Sequence, residues 1–320
     1  MPSPFEADVL AGLAASPRTV PPKWLYDAEG SRLFDAITRL DAYYPTETER
    51  GILRDHAAEM AAAIGPGAAL VEYGSGSSDK TRVLLDALRA APGGLAAYIP
   101  VDISPDALDA AAHALRAEYP GLIVRPVVAD YTQPFTLPDV SPRESRVVFF
   151  PGSTVGNFTP AETEAFFAAA AAVVGPGGAL LVGADQRKET AVLARAYDDP
   201  EGITAAFNLN LLARINRELG GDADLGRWAH EARIVEMPDA AAPGEMAQAV
   251  EMHLVSRGVQ TLAVCGHRFS FADGESIHTE TSTKYGPETL ARIAARAGFT
   301  RAARWADARG WFAVELYRAE

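Results

Sequence analysis

Between residues 67 and 183 the chain alternates short unbroken apolar runs with segments of helical spacing, and few folds accept that rhythm. The runs lie at 68–73, 96–101, 122–129, 147–150 and 179–183, and the helical patterns between them at 80–91, 105–118 and 160–174. A strand that is apolar on both faces must be covered on both. The pattern therefore predicts a parallel sheet with helices on either side. The same rhythm returns near the C-terminus, with a helix at 287–297, Gly298 as its stop, and strands near 301–305 and 311–317 joined by D-A-R-G. Together these predict an α/β fold built on a seven-stranded sheet with one antiparallel edge strand.

The rest of the chain reads differently. Residues 5–15, 31–40 and 46–64 carry apolar residues at helical spacing, and the last of these opens with the acidic helix start T-E-T-E. The connectors TVPPKWLYD and DAYYPTE are rich in proline and tyrosine and suit a chain lying along a cleft. A helical stretch at 200–219 leads into period-two segments at 232–237, 249–255, 261–271 and 277–284, which predict an antiparallel sheet in a separate, inserted α+β domain. The expected division is 57–185 plus 286–320 for one domain and 1–56 plus 186–285 for the other.

Composition excludes several functions. Lysine and arginine number 29 against 42 acids, a net charge of −13, which argues against a nucleic-acid partner. The single cysteine, Cys265, forbids an internal disulfide and reads as a core residue, and the six histidines lack metal-ligand spacing, so no metal is expected. No apolar run reaches the about 18 residues of a membrane span, and the start MPSPFEADVL has no secretory pattern. A cytoplasmic protein off the membrane is expected.

The loop Glu72-Tyr73-Gly74-Ser75-Gly76-Ser77-Ser78-Asp79-Lys80-Thr81 follows the first strand and opens a helix. A phosphate-cradling G-x-x-x-x-G-K-[ST] fits at Gly74, Lys80 and Thr81 but meets Asp79 where its second glycine belongs. A dinucleotide G-x-G-x-x-G fails at the same position. An acid there repels phosphate, which moves the reading toward S-adenosylmethionine, a cofactor with no phosphate. Asp102 ends the second strand, where a carboxylate accepts ribose hydroxyls. Asp130 ends the third, within reach of an adenine amine, with Tyr131 beside the ring. The plainer reading makes each acid a helix N-cap or a loop polar, but Ser104 is a better cap for the next helix than Asp102, and Asp130 starts a loop. After the fourth strand, F-P-G-S-T-V-G-N (150–157) stands where such a sheet meets the atom being methylated.

Seven motifs in order carry a resemblance over essentially the whole chain: PPKWLYD (21–27), ITRLDAYYPTETE (37–49), EYGSGSSDKTRVLLDAL (72–88), FPGSTVGN (150–157), RAYDDPEGITAAFNLNLLARINREL (195–219), VEMHL (250–254) and ETSTKY (280–285). The chain resembles the histidine Nα-methyltransferases of ergothioneine biosynthesis. The resemblance implies a Rossmann-like class I methyltransferase sheet with an inserted substrate-recognition domain. It also implies S-adenosylmethionine as cofactor, yielding S-adenosylhomocysteine, and L-histidine as substrate, trimethylated to hercynine. By the same resemblance, Asn157 and Tyr197 hold the substrate carboxylate, and Glu280 and Ser282 read the imidazole with Tyr43 facing the ring. Tyr26 lies near the amine, and Gly152 and Met252 line the pocket. Gly74, Ser75, Gly76, Lys80, Asp102, Asp130 and Tyr131 serve the cofactor. Tyr73, Pro151 and Glu47 depart from the family pattern, and none of the three is a histidine-reading position.

The residue types set the chemistry. Methyl transfer needs alignment and exclusion of water, and it needs a neutral amine. The sequence offers no strong base, so Tyr26 or a water is expected to relay the proton, with Tyr26 and Asn157 closest to the chemistry. Two rival readings are a paralogue that methylates another amino acid or imidazole compound, and a regulator with a dead site. The first is expected to lose Glu280 or Ser282 and the second Asn157; all three are present. The subunit number is left open, with a monomer expected.

Overall fold

The computed structural model describes residues 2–75, 79–138, 145–238, 246–286 and 288–320. Its helices are α1 (Pro4–Ala14), α2 (Ala28–Ile37), α3 (Tyr44–Ile64), α4 (Asp79–Ala90), α5 (Pro105–Glu118), α6 (Pro160–Val174), α7 (Thr190–Tyr197), α8 (Ile203–Leu219) and α9 (Thr289–Arg296). Its strands are β1 (Arg18–Thr19), β2 (Ala68–Tyr73), β3 (Leu95–Asp102), β4 (Val127–Val128), β5 (Arg146–Phe150), β6 (Ala179–Asp185), β7 (Trp228–Pro238), β8 (Met246–Ser256), β9 (Gln260–Val264), β10 (His267–Phe271), β11 (Ser276–Lys284), β12 (Phe299–Ala306) and β13 (Phe312–Ala319). The chain divides into two compact units, one of Met1–Tyr44, Arg187–Met237 and Met246–Lys284, the other of Pro45–Gln186 and Tyr285–Glu320.

The second unit holds the seven-stranded sheet, in the order β12-β13-β6-β5-β2-β3-β4. Strands β2, β3, β5 and β6 pair in parallel, and β2 and β6 are buried along their whole length, as their unbroken apolar runs predict. Two cores flank the sheet. Leu70, Tyr98, Phe149 and Leu181 belong to one, and Val71, Ile99, Val148 and Phe167 to the other. Helix α6 starts on a reciprocal cap, in which Thr159 accepts from the Glu162 N–H and the Glu162 carboxylate accepts from the Thr159 N–H.

Two sequence expectations are corrected in this sheet. The antiparallel strand is β13, which pairs with β6 on one side and β12 on the other, so the edge strand β12 runs with the rest. The run at 122–129 yields only the two-residue β4, because Pro126 has no N–H for the ladder. Its contact with β3 is broken into a bridge at Val124 and the pairing of Val127 and Val128.

The first unit carries a four-stranded sheet in the order β1-β11-β8-β7 and a separate hairpin of β9 and β10. β11 runs antiparallel to β8, and the N-terminal β1 pairs in parallel with β11, Thr19 opposite His278. The expected single segment at 261–271 is a hairpin. Its two-residue turn, Cys265-Gly266, has φ values of 49° and 79°, the left-handed pair that matches strand twist. Cys265 is thus a turn residue rather than core, with its Sγ donating to the Leu219 carbonyl at 3.4 Å. Helix α7, ahead of the helix expected at 200–219, was hidden by the Asp198-Asp199-Pro200 break that follows it. Among the described residues, no helix is long and apolar enough to cross a membrane.

Candidate functional site

In the second unit the proposed cofactor residues gather where the parallel strands end. Gly74 follows β2 with φ at +69° and donates its N–H to the Val101 carbonyl, a backbone that a side chain would strain. Ser75 is buried behind it, and Gly76 lies outside the described residues. The Tyr131 ring stacks on Tyr73, with centroids 5.4 Å apart and planes within 5°, and meets Phe150 and Phe166 edge-on. Tyr73, a departure from the family pattern, is therefore the platform on which Tyr131 rests. Burial pushes the Tyr131 phenol up, and the charges of Asp102 and Asp130 add to that; the Ala129 N–H, next to Asp130, donates to the Asp102 carbonyl at 3.0 Å.

Asp102 and Asp130 are both half-buried, and each uses Oδ1 to shape its own turn. Asp102 accepts from the Ser104 N–H at 3.0 Å, and Asp130 from the Thr132 N–H and hydroxyl at 2.9 and 2.5 Å. Ser104 stands at the N-cap of α5, but its side chain makes no capping bond. Each acid thus does at least what the plainer reading expects, shaping its own turn through Oδ1.

Lys80 is not presented to a ligand phosphate. Its Nζ sits 2.5 Å from Oε2 of Glu49 on α3, whose side chain is fully buried. Both Glu49 oxygens also accept from the Gly152 N–H, at 3.0 and 2.9 Å, so one carboxylate ties α4 to the loop after β5. Gly183 makes room for it, because a Cβ there would lie 1.9 Å from Glu49 Oε1. Glu72 is likewise internal. It accepts from Thr81 at 2.7 Å and Tyr98 at 2.5 Å, and burial pushes its pKa up to about 7. Acids on the rim and a lysine already paired fit the adenosine and sulfonium of S-adenosylmethionine and not a phosphate. In the same unit, the loop after β5 runs through Gly152 at φ +82° and Ser153 at φ +59°. Its Ser153 hydroxyl accepts from the Asp185 N–H, and a 3-10 turn ends at the half-buried Asn157.

The proposed substrate-reading residues of the first unit lie on one face of β11 and on what packs there. Glu280, Ser282 and Lys284 alternate in register, so their side chains leave the same side of the strand. Met252 stands opposite Glu280 on β8. Tyr197, at the end of α7, lies 2.9 Å from the Ser282 hydroxyl, and its ring meets Tyr43 edge-on at 6.0 Å. The aromatic series continues through Phe34 to Tyr26, whose ring also packs on Phe207 while its side chain reaches solvent. Glu280 is 8% exposed, its Oε2 has no hydrogen-bond partner among the described residues, and burial pushes its pKa up to about 7 against the pull of Lys284.

Within this unit the structure brings together Tyr43, Tyr197, Met252, Glu280 and Ser282, with Tyr26 at the end of the aromatic series. Two residues escaped the sequence. Lys284 is fully buried and donates to Tyr197 Oη at 2.6 Å and Ser282 Oγ at 2.7 Å. Its signal was the two-residue spacing from Ser282. Glu49 was hidden in a helix-start pattern that explains acids without burying them.

Comparison with known proteins agrees with these features. The family model described as histidine-specific methyltransferase, SAM-dependent, matches residues 5–319. The chain is 44% identical, over 97% of its length and 93% of the relative's, to a histidine N-alpha-methyltransferase of Mycolicibacterium smegmatis. It is 43% identical, with the same coverage, to one from Mycobacterium tuberculosis. It is 30% identical, over 90% of its length, to ergothioneine biosynthesis protein 1 of Neurospora crassa, of which it spans 32%.

Proposed function

Since the chain belongs to the SAM-dependent histidine-specific methyltransferases, we propose that it methylates the α-amino group of L-histidine three times, giving hercynine for ergothioneine biosynthesis. The observation that carries the substrate is Glu280: a buried carboxylate with one oxygen unpartnered among the described residues, on the same strand face as the Ser282 hydroxyl. Such a group demands a hydrogen-bond donor from outside the protein, and an imidazole N–H is one.

Gly74, Ser75, Gly76, Asp102, Asp130 and Tyr131 are the residues proposed to hold S-adenosylmethionine, with Lys80 locking the neighbouring loop through Glu49. Bound there, the cofactor supplies a methyl group on a positively charged sulfur. The chain's own work is to hold histidine by both ends and keep its nitrogen loosely held. Asn157 and Tyr197 are proposed to take the carboxylate, Glu280 and Ser282 the ring, while Tyr43, Gly152 and Met252 shape the space between. The α-amino group of a free amino acid is mostly protonated at neutral pH. Tyr26, which reaches solvent, is proposed to pass that proton to water. A grip on carboxylate and ring, and not on nitrogen, lets each partly methylated product bind again.

Incubation with S-adenosylmethionine and each of the twenty amino acids, read by mass, tests the substrate. Histidine should gain up to three methyl groups, and a different amino acid as the preferred acceptor refutes the proposal. Asp102→Ala should weaken cofactor binding by roughly 1.5–3 kcal/mol, the size of a lost charged hydrogen bond. An unchanged dissociation constant by calorimetry removes Asp102 from the site. Histidinamide, which lacks the carboxylate, should be turned over with kcat/KM lower by on the order of 10²-fold. Near-normal turnover of the amide sinks the roles given to Asn157 and Tyr197.

A further inference from the structure

Lys284 has no part in the reading above, yet it is among the largest fully buried side chains. Its Nζ donates to Tyr197 Oη and Ser282 Oγ and lies 4.5 Å from the Tyr197 ring centroid. An ammonium only donates, so both hydroxyl oxygens must accept from it. Their own protons are thereby turned away from Lys284, toward each other and toward whatever lies beyond. Four residues back on the same strand face stands Glu280, buried and with Oε2 unpartnered. The partners on β8 opposite Glu280 and Ser282 are Met252 and Val250, which carry no charge, and α7 contributes Tyr197. Lys284 is the charged group that acts on Glu280, drawing it toward the ionised form against its burial.

We infer that Lys284 is a positioning residue for substrate recognition: its ammonium aims the Ser282 and Tyr197 hydroxyls and supplies the counter-charge that keeps Glu280 an acceptor. The ligand class this arrangement selects is an amino acid whose side-chain ring offers an N–H to a carboxylate. The inference rests on the proposed role of Glu280 and Ser282. A buried glutamate tends to gain a proton, and a cation on the same strand face opposes that.

The test uses the whole enzyme with Lys284→Met and with Lys284→Gln, which keeps donors but no charge. The dissociation constant of S-adenosylhomocysteine serves as the control for folding. Both variants should raise KM for histidine about 10-fold or more while kcat at saturation changes little, a split that general loss of structure does not give. The acid limb of the KM profile should also move to higher pH, because Glu280 without the ammonium ionises later. A variant that binds S-adenosylhomocysteine normally and keeps both KM and its pH profile overturns the inference. If neither variant folds, Lys284→Arg decides: with the charge kept, the acid limb of the KM profile should stay at the parent enzyme's pH. A limb that moves although the charge is kept overturns the pairing. If Glu280→Gln leaves KM for histidine intact, the reading of Glu280 itself has failed. If it raises KM but the Lys284 variants do not, only the present inference falls.

Discussion

Glu280→Ala is expected to lower kcat/KM for histidine by about 10²-fold or more, on the order of 3 kcal/mol for a buried charged hydrogen bond. The effect is large because the side chain is buried and one of its oxygens has no partner among the described residues. A site built to accept a ring N–H penalises any substrate that leaves the carboxylate unpaired. Removing the acid should therefore also narrow the gap between histidine and phenylalanine, whose ring has no N–H to offer the carboxylate. Steady-state kinetics with the two amino acids checks both halves. Wild-type kinetics on histidine would exclude Glu280 from the ring-reading role, with family membership untouched.

Glu49→Ala is expected to have the largest effect on stability, about 3–5 kcal/mol, the cost of breaking a buried ion pair by removing one partner. The Lys80 side chain, 20% exposed, recovers some hydration, which favours the lower end of that range. The Gly152 N–H loses both of its carboxylate contacts at the same time. Urea denaturation measures the loss, and an unchanged midpoint refutes the clamp. The double variant Glu49→Ala, Lys80→Met should be less destabilised than Glu49→Ala alone, because no charge is then left behind. Cofactor affinity should fall in the single variant too, since Lys80 opens α4 directly after the glycine loop.

The parts that were legible in the sequence are those where one local rule decides. Apolar runs such as 68–73 and 179–183 have a single home, the middle of a covered sheet, and β2 and β6 lie there. The helical spacing at 160–174 likewise gives α6, Pro160–Val174. Legibility failed where tertiary context overrode the pattern. Period-two spacing at 261–271 continues across a hairpin turn, and cysteine is no usual signal for a left-handed backbone. The run at 122–129 is apolar enough for a strand, but Pro126 interrupts its pairing.

Side-chain roles divide in the same way. Asp102 and Asp130 were placed by strand ends, and the structure sets both beside Tyr131. Tyr197 and Ser282, assigned by resemblance to opposite ends of the substrate, are hydrogen-bonded to each other, a relation that no spacing over 85 residues reveals. Lys284 and Glu49 belong to residue types that face solvent by default. Only the packed structure shows that each is fully buried and paired.

The pairing of β1 with β11 has a consequence for the newly made chain. Thr19 and His278 lie 259 residues apart, so during translation the N-terminal segment waits for its strand until most of the polypeptide has emerged. The seven-stranded sheet waits as well, because β13, near the end of the chain, fills the place between β6 and β12. Domains made early in synthesis usually fold while the ribosome is still working. Here the four-stranded sheet cannot be completed before β11 (Ser276–Lys284) appears, nor the seven-stranded one before β13 (Phe312–Ala319), so a message cut short after β10 yields two unfinished sheets and not one finished domain.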